Sequence, residues 1–318
     1  MTAPRDGTGV EVSHLGKRYG DVVALDDVSV TVQPGELFGF IGPDGAGKTT
    51  LFRILATLLR PDAGSARVLG LDVVRDMWAI RSRIGYMPGR FSLYADLSVE
   101  ENLRFFAAVF GTTLEAGERL VAPIWRQIAP FADRRAGALS GGMKQKLALC
   151  CALVHLPELL LLDEPTTGVD AVSRREFWDL LEELRRGGLT ILASTPYMDE
   201  AARCDRVALV QDGRILDVAD PRRIGERFDR PLVAVRGPDR LRLLEALRVH
   251  PGAGSVFPFG EAIHYTDVRA DRSGESVADE LREYLRGRGF GDVEVALAHP
   301  GIEDVFMALM RAPAEAAA

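Results

Sequence analysis

The chain has 318 residues, 47% of them hydrophobic and 27% charged, with a formal net charge of -7. This composition excludes a disordered or low-complexity chain and leaves room for one large domain and a smaller one, each able to bury a core. The acidic balance argues against a broad phosphate-backbone surface, so no nucleic-acid partner is expected. The opening "MTAPRDGTGV" contains no apolar targeting region, and no apolar run approaches the roughly 20 residues a membrane helix needs. A cytosolic protein that can still dock on a membrane partner is the expectation. Cys150, Cys151 and Cys204 form neither a CxxC nor a metal spacing, which suits buried packing in a reducing compartment. The five histidines form no HxxxH pair.

The first informative segment is "ELFGFIGPDGAGKTTLFRILATLL". An apolar strand runs through a glycine-rich loop into a helix with apolar periodicity, the setting that gives G-x-x-x-x-G-K-[ST] its meaning. Gly42, Gly45 and Gly47 let backbone N–H groups wrap a phosphate at a helix N-terminus. Lys48 is placed to reach the β- and γ-phosphates, and the Thr49 hydroxyl to ligate Mg²⁺. Next, "LSGGMKQKLAL" has a Ser-Gly-Gly turn opening a helix, a second anion-binding helix end. In "PELLLLDEPTTGVD" four leucines read as a buried parallel strand ending at Asp163 and Glu164. Ligands of open α/β sheets sit at the carboxyl ends of strands, so both carboxylates are expected to face the phosphate loop. There Asp163 suits Mg²⁺, and Glu164 can polarise an attacking water.

The loop, the LSGG turn and the acidic strand end occur in one order, and in this the sequence resembles the nucleotide-binding subunit of ATP-binding cassette (ABC) transporters over roughly residues 10–218. The resemblance implies a P-loop α/β fold of ABC ATPase type, with a RecA-like core, an antiparallel β subdomain and an α-helical subdomain at about 97–155. It implies ATP bound by Tyr19, Gly42, Pro43, Asp44, Gly45, Ala46, Gly47, Lys48, Thr49, Thr50 and Asp163, with Mg²⁺ on Thr49 and Asp163 and Glu164 as catalytic base. Ser140, Gly141, Gly142 and Met143 stand at the signature, where Met143 replaces the family's glutamine. In that family one subunit's signature closes over ATP held by another subunit, so a dimer is implied. Gly168, Val169 and Asp170 match the D-loop that crosses the interface. Arg90 to Phe106, "RFSLYADLSVEENLRFF", is similar to the segment that receives a permease. "TTGVDAVSRREFW" and "YMDEAARCDRVALVQDGRIL" resemble ATPase subunits of ABC-2-type exporters of the drug, polysaccharide and multidrug group. A cytoplasmic protein peripheral on the inner membrane face, bound to ABC-2-type permease subunits, is therefore expected.

Two positions depart from the family. Where it has a glutamine after "IGYMP", this chain has Gly89; where it has a histidine after "ST", this chain has Pro196. Neither residue offers a side-chain donor, so neither can orient water or stabilise charge on a transferring phosphoryl group. Binding is expected to survive while turnover at this chain's own loop is slow, which favours a heterodimer with a second, complete ABC ATPase. A competent homodimer relying on Glu164 and a non-catalytic ATP-binding subunit remain open.

After "ADPRRIGERFDRP", read as a linker at 219–231, "LVAVRG", "DRLRLLEALR", "SVFPF", "AIHYTDVRA", "SVADELREYLRGRG" and "DVEVALA" alternate in the order βαββαβ, the ferredoxin-like split unit. With the amphipathic "GIEDVFMALM" it makes a C-terminal accessory or regulatory domain at 232–311, followed by a tail at 312–318 expected to be disordered. A P-loop kinase does not call for the LSGG turn, and a chromosome-associated ABC ATPase needs a coiled coil that no heptad run here supplies.

Overall fold

The computed structural model describes residues 9–269 and 271–315. Contacts divide the chain into two compact units, the first ending at Pro221 and the second beginning at Arg222.

The first unit opens with a hairpin of β1 (Val10–Tyr19) and β2 (Val22–Val32). β3 (Leu37–Ile41) then leads through a loop into α1 (Lys48–Leu55). β4 (Ala63–Val68) and β5 (Leu71–Asp72) join the hairpin in an antiparallel sheet of order β2-β1-β4-β5. After α2 (Met77–Arg81) and β6 (Ile84–Met87) come three helices, α3 (Val99–Val109), α4 (Leu114–Ile128) and α5 (Gly141–Leu153). β7 (Leu159–Asp163), α6 (Ala171–Arg186), β8 (Thr190–Thr195), β9 (Arg206–Gln211) and β10 (Arg214–Ala219) complete the unit.

The second sheet has the order β10-β9-β3-β8-β7-β6 and is parallel from β9 to β6, with β10 antiparallel at the edge. Every residue of β3, β7 and β8 is buried. A parallel strand covered on both faces needs an unbroken apolar run rather than alternation, which is why "LLLLD" reads as it does. α1 packs on this sheet, with the Phe40 and Phe52 rings edge to face at 5.6 Å. The pairings Asp163↔Ser194 and Ile41↔Thr195 bring three strand ends to one edge of the sheet.

The helical part begins at a capping box, in which the Ser98 hydroxyl accepts from the Glu101 N–H and the Glu101 carboxylate from the Ser98 N–H. Fully buried Asn102 ties down the preceding segment through the Tyr94 N–H and the carbonyls of Tyr94, Leu97 and Ser98.

The second unit contains β11 (Leu232–Arg236), α7 (Arg240–Arg248), β12 (Ala253–Phe259), β13 (Ala262–Asp267), α8 (Gly274–Gly287) and β14 (Glu294–Ala298). The all-antiparallel order β12-β13-β11-β14 places the first and third strands of the unit in the centre, the ferredoxin-like arrangement. α9 (Ile302–Glu315) follows. The stretch read as a linker holds a 3₁₀ turn at Ile224–Arg227 whose Ile224 is buried. Of the stretch read as a tail, α9 includes residues up to Glu315; residues 316–318 lie outside the described residues.

Candidate functional site

The loop from Gly42 to Gly47 is shaped by what cannot fit in it. A Cβ on Gly42 would lie 2.1 Å from the Val210 carbonyl oxygen, and one on Gly47, itself at φ 98, would lie 2.4 Å from the Ala24 oxygen. Only glycine allows β3 to turn against β9 and then enter α1 beside β2. The loop is pinned from both sides: Gly42 N–H donates to the Thr195 carbonyl at 3.3 Å, and Gly213 N–H to the Ala46 carbonyl at 3.1 Å. Asp44 and Gly45 stay exposed at its tip, while Thr50 faces inward. The N-terminus of α1 has neither a side-chain cap nor an acid in its first turn. Its free N–H groups and positive dipole end are therefore available to an anion.

Lys48 is buried at 3% exposure, and its Nζ arches back into the loop. It donates to the Gly42 and Pro43 carbonyls at 2.8 and 2.9 Å and pairs with Glu164 Oε1 at 3.1 Å. On the facing strand end, Asp163 Oδ1 accepts from the Thr49 hydroxyl at 3.1 Å and the Ser194 hydroxyl at 2.8 Å. Burial pushes the Asp163 carboxyl above its ordinary range, with those two hydroxyls pulling the other way. A hydroxyl and a carboxylate, both hard oxygen donors side by side, fit Mg²⁺ rather than a soft metal. Glu164 sits just past β7 at φ 51, uncommon for a residue with a Cβ, and its N–H donates to Ser194 Oγ at 3.0 Å. That turn swings its carboxylate back over the loop.

The expected residues are thereby brought together. Thr49, Tyr86, Gly89, Arg90, Asp163 and Glu164 line one cleft of about 680 Å³. Gly89 lies flush against the β7 end, where a Cβ would stand 3.0 Å from the Asp163 oxygen. Pro196 directly follows Thr195, the residue that holds the Gly42 N–H. Burial and the Asp163 charge together push the Tyr86 phenol up to about 12. Tyr19 stands at the hairpin end, 46% exposed, with the Lys17 ammonium 6.0 Å from its ring centroid.

The helix end read as a second anion site is capped from within the chain. Ser140 caps α5 by accepting from the Met143 N–H at 3.3 Å. Gly142 is wedged against α6, where a Cβ would lie 2.6 Å from that of Ser173. Asp170 caps α6 through the Val172 and Ser173 N–H groups, just after Gly168 at φ 76 and Val169. Signature and D-loop positions thus meet each other, but among the described residues no hydrogen bond or ion pair joins Ser140–Met143 to residues 42–49.

Sequence reasoning missed the polar layer behind the site. Ser194 donates to Asp163 while accepting from Glu164. Glu200, 3% exposed, accepts from Thr195 Oγ1, from Thr166 Oγ1 at 2.8 Å and from Arg174 Nε at 3.1 Å. The only sequence signal was a run of small hydroxyl residues at two strand ends.

This fold and site define a P-loop nucleoside triphosphatase. Residues 25–167 match the family model described as ABC transporter. The chain is 36% identical over 310 residues to the Nod factor export ATP-binding protein I of Burkholderia pseudomallei (strain 1710b), with 94% of this chain and 96% of that protein covered. It is 38% identical over 308 residues to the probable multidrug ABC transporter ATP-binding protein YbhF of Escherichia coli (strain K12), covering 95% of this chain but spanning only 52% of that protein. An ATP-binding subunit of an ABC transporter superposes with a TM-score of 0.62 at 29% identity, over 69% of this chain and 92% of that one. A dimeric bacterial ABC transporter cassette shares the fold, with a TM-score of 0.60 at 24% identity over 66% of this chain and 98% of that one. The chain belongs to the ATP-binding proteins of the ABC transporter family.

Proposed function

We propose that the chain is the ATP-binding subunit of an ABC-2-type export complex, holding Mg-ATP in a composite dimer interface and turning it over slowly at its own loop. The observation that carries this reading is the cleft itself. Lys48, Thr49, Asp163 and Glu164 are assembled for binding, while Gly89 and Pro196 border the same strand ends without a side-chain donor. Export is inferred from relatives named for Nod factor and multidrug transport.

The residues act in sequence. An arriving terminal phosphate takes the Lys48 ammonium from the Gly42 and Pro43 carbonyls, and the α1 N-terminus adds its N–H groups. Lys48 thereby releases Glu164, whose carboxylate turns to accept a proton from water. Mg²⁺ would be held by Thr49 and Asp163 and would supply charge neutralisation. Ser140, Gly141 and Gly142 complete the site of a partner, and Gly168–Asp170 reach across the interface. A complete ABC ATPase in a heterodimer is the favoured partner; a homodimer relying on Glu164 is the second reading, favoured by retention of that base. A regulatory ATP-binding subunit is the third. Among the described residues no helix is long and apolar enough to cross a membrane, so attachment at the inner face is assigned to permease subunits. The C-terminal unit is assigned a regulatory or dimer-stabilising role.

The test is Mg-ATP binding and steady-state hydrolysis by the purified chain beside a Glu164→Gln control. Tight binding with turnover no higher than the control supports the slow site. Turnover abolished by the substitution supports the homodimer.

A further inference from the structure

We infer that Arg90 is a binding residue for the terminal phosphate of ATP, supplying from the next position the contact that Gly89 cannot make; this rests on the proposed ATP site. Three observations carry it. Arg90 lines the same 680 Å³ cleft as Thr49, Asp163 and Glu164. The backbone at Gly89 lies so close to the β7 end that a Cβ there would stand 3.0 Å from the Asp163 carbonyl oxygen and 3.8 Å from the Glu164 Cβ. A long side chain beginning one residue later therefore starts next to the strand end that carries Asp163 and Glu164. Finally, the neighbouring cations Lys48 and Arg53 have neighbours of their own. Lys48 is held by two loop carbonyls and Glu164, and Arg53 lies beside the Tyr86 phenol. Among the described residues no hydrogen bond or ion pair engages the exposed Arg90 guanidinium.

The chemistry suits a site that holds more than it turns over. A guanidinium is always charged and presents a planar fork that pairs two phosphate oxygens at once. It has no acceptor, so it cannot position a water through a lone pair as an amide can. Substituting such a group for an amide keeps the discrimination between ATP and ADP but not the orientation of the nucleophile. Because Arg90 is exposed and makes no hydrogen bond or ion pair among the described residues, its truncation leaves the fold intact.

The experiment measures calorimetric Kd values for Mg-ATP and Mg-ADP on the full chain in a Glu164→Gln background, which prevents consumption of the nucleotide. Arg90→Ala is expected to weaken ATP about tenfold, the loss of a charged hydrogen-bonding partner, while leaving ADP within about twofold. Arg90→Lys is expected to recover part of the ATP affinity, because a point charge replaces the fork. An ATP-to-ADP affinity ratio unchanged in Arg90→Ala overturns the assignment, and this is also the result expected if the guanidinium serves only a permease surface. Lys48→Ala separates the two levels of inference. If it abolishes binding of both nucleotides while Arg90→Ala changes nothing, only Arg90 is wrong. If it leaves both affinities intact, the nucleotide site is wrong and Arg90 falls with it.

Discussion

Replacing Pro196 by histidine tests the slow-site reading most directly. The backbone on either side is fixed by groups the substitution does not touch. The Thr195 carbonyl accepts from Gly42 at 3.3 Å, and the Thr195 hydroxyl accepts from the Tyr197 N–H at 3.0 Å while donating to Glu200. Pro196 is half-buried and lies outside β8, so no strand pairing depends on it. Histidine restores a side-chain donor at the strand end facing the loop. A preorganised donor to developing phosphoryl charge is worth about 10² to 10³ in rate. The restored backbone N–H must find a new partner, so the lower end applies, about 10²-fold in kcat or roughly 2.7 kcal/mol. Gly89→Gln adds less, about tenfold, because its Cβ would start 3.0 Å from the Asp163 oxygen and the loop must yield. Phosphate release at saturating ATP, with Kd measured separately, reads the effect. The expected pattern is kcat rising with nearly constant Kd. A kcat within threefold of the parent in both single variants and the double variant, with Kd unchanged, would falsify the claim that these two positions limit turnover.

Three further outcomes follow from the geometry. Asp163→Asn is expected to stabilise the nucleotide-free protein while abolishing Mg²⁺-dependent stabilisation by ATP, read as melting temperatures. The sign follows from the raised Asp163 carboxyl: ionising it at neutral pH opposes folding, and this penalty disappears at acid pH, so the stability gain of the variant must shrink as pH falls through the raised pKa. Gly142→Ala forces a Cβ to 2.6 Å from that of Ser173, an overpacking cost of about 1–3 kcal/mol. Ser173→Gly added to it should recover stability in urea unfolding, and additive losses would count against this packing. In the second unit, Asp304 is 1% exposed and accepts from His264 Nδ1 at 2.6 Å and from the Gly301 N–H at 2.8 Å. Asp304→Ala leaves the buried His264 donor and the part-buried Gly301 N–H unmatched, at a cost of about 1–3 kcal/mol in denaturant unfolding; a change below 0.5 kcal/mol would refute the pairing.

The readable parts of the chain are those where local sequence and tertiary role coincide. "LLLLD" announces a doubly covered strand because burial on both faces demands it, and Gly42 to Lys48 announce the loop because only glycine fits against Val210 and Ala24. The order βαββαβ was legible from periodicity, since each strand and helix buries one face. The polar layer was not. Ser194 and Glu200 are ordinary residues in sequence, and their meaning comes from strands and helices that converge only after folding. Glu164's left-handed backbone was equally invisible, because it is imposed by the Ser194 hydroxyl and carbonyl that bind its N–H. The buried Ile224 has little compositional weight, because a single apolar residue in a charged stretch does not stand out.

The pattern of kept and missing side chains has a physical logic. Gly42, Gly47, Lys48 and Asp163 each serve the fold as well as the ligand: the glycines permit close backbone approach, Lys48 satisfies two loop carbonyls, and Asp163 satisfies two hydroxyls. Losing either glycine or Lys48 costs stability before nucleotide is present. On the proposed reading, Gly89 and Pro196 lie beyond strand ends where chemistry alone asks for a donor, so a side chain can be absent there with little penalty in folding. The Ser140 and Asp170 caps, which the same reading assigns to the signature and the D-loop, are held by α5–α6 packing rather than by the nucleotide. This supports the division of labour proposed above, in which one half holds ATP and lends its signature while a complete partner carries the faster chemistry.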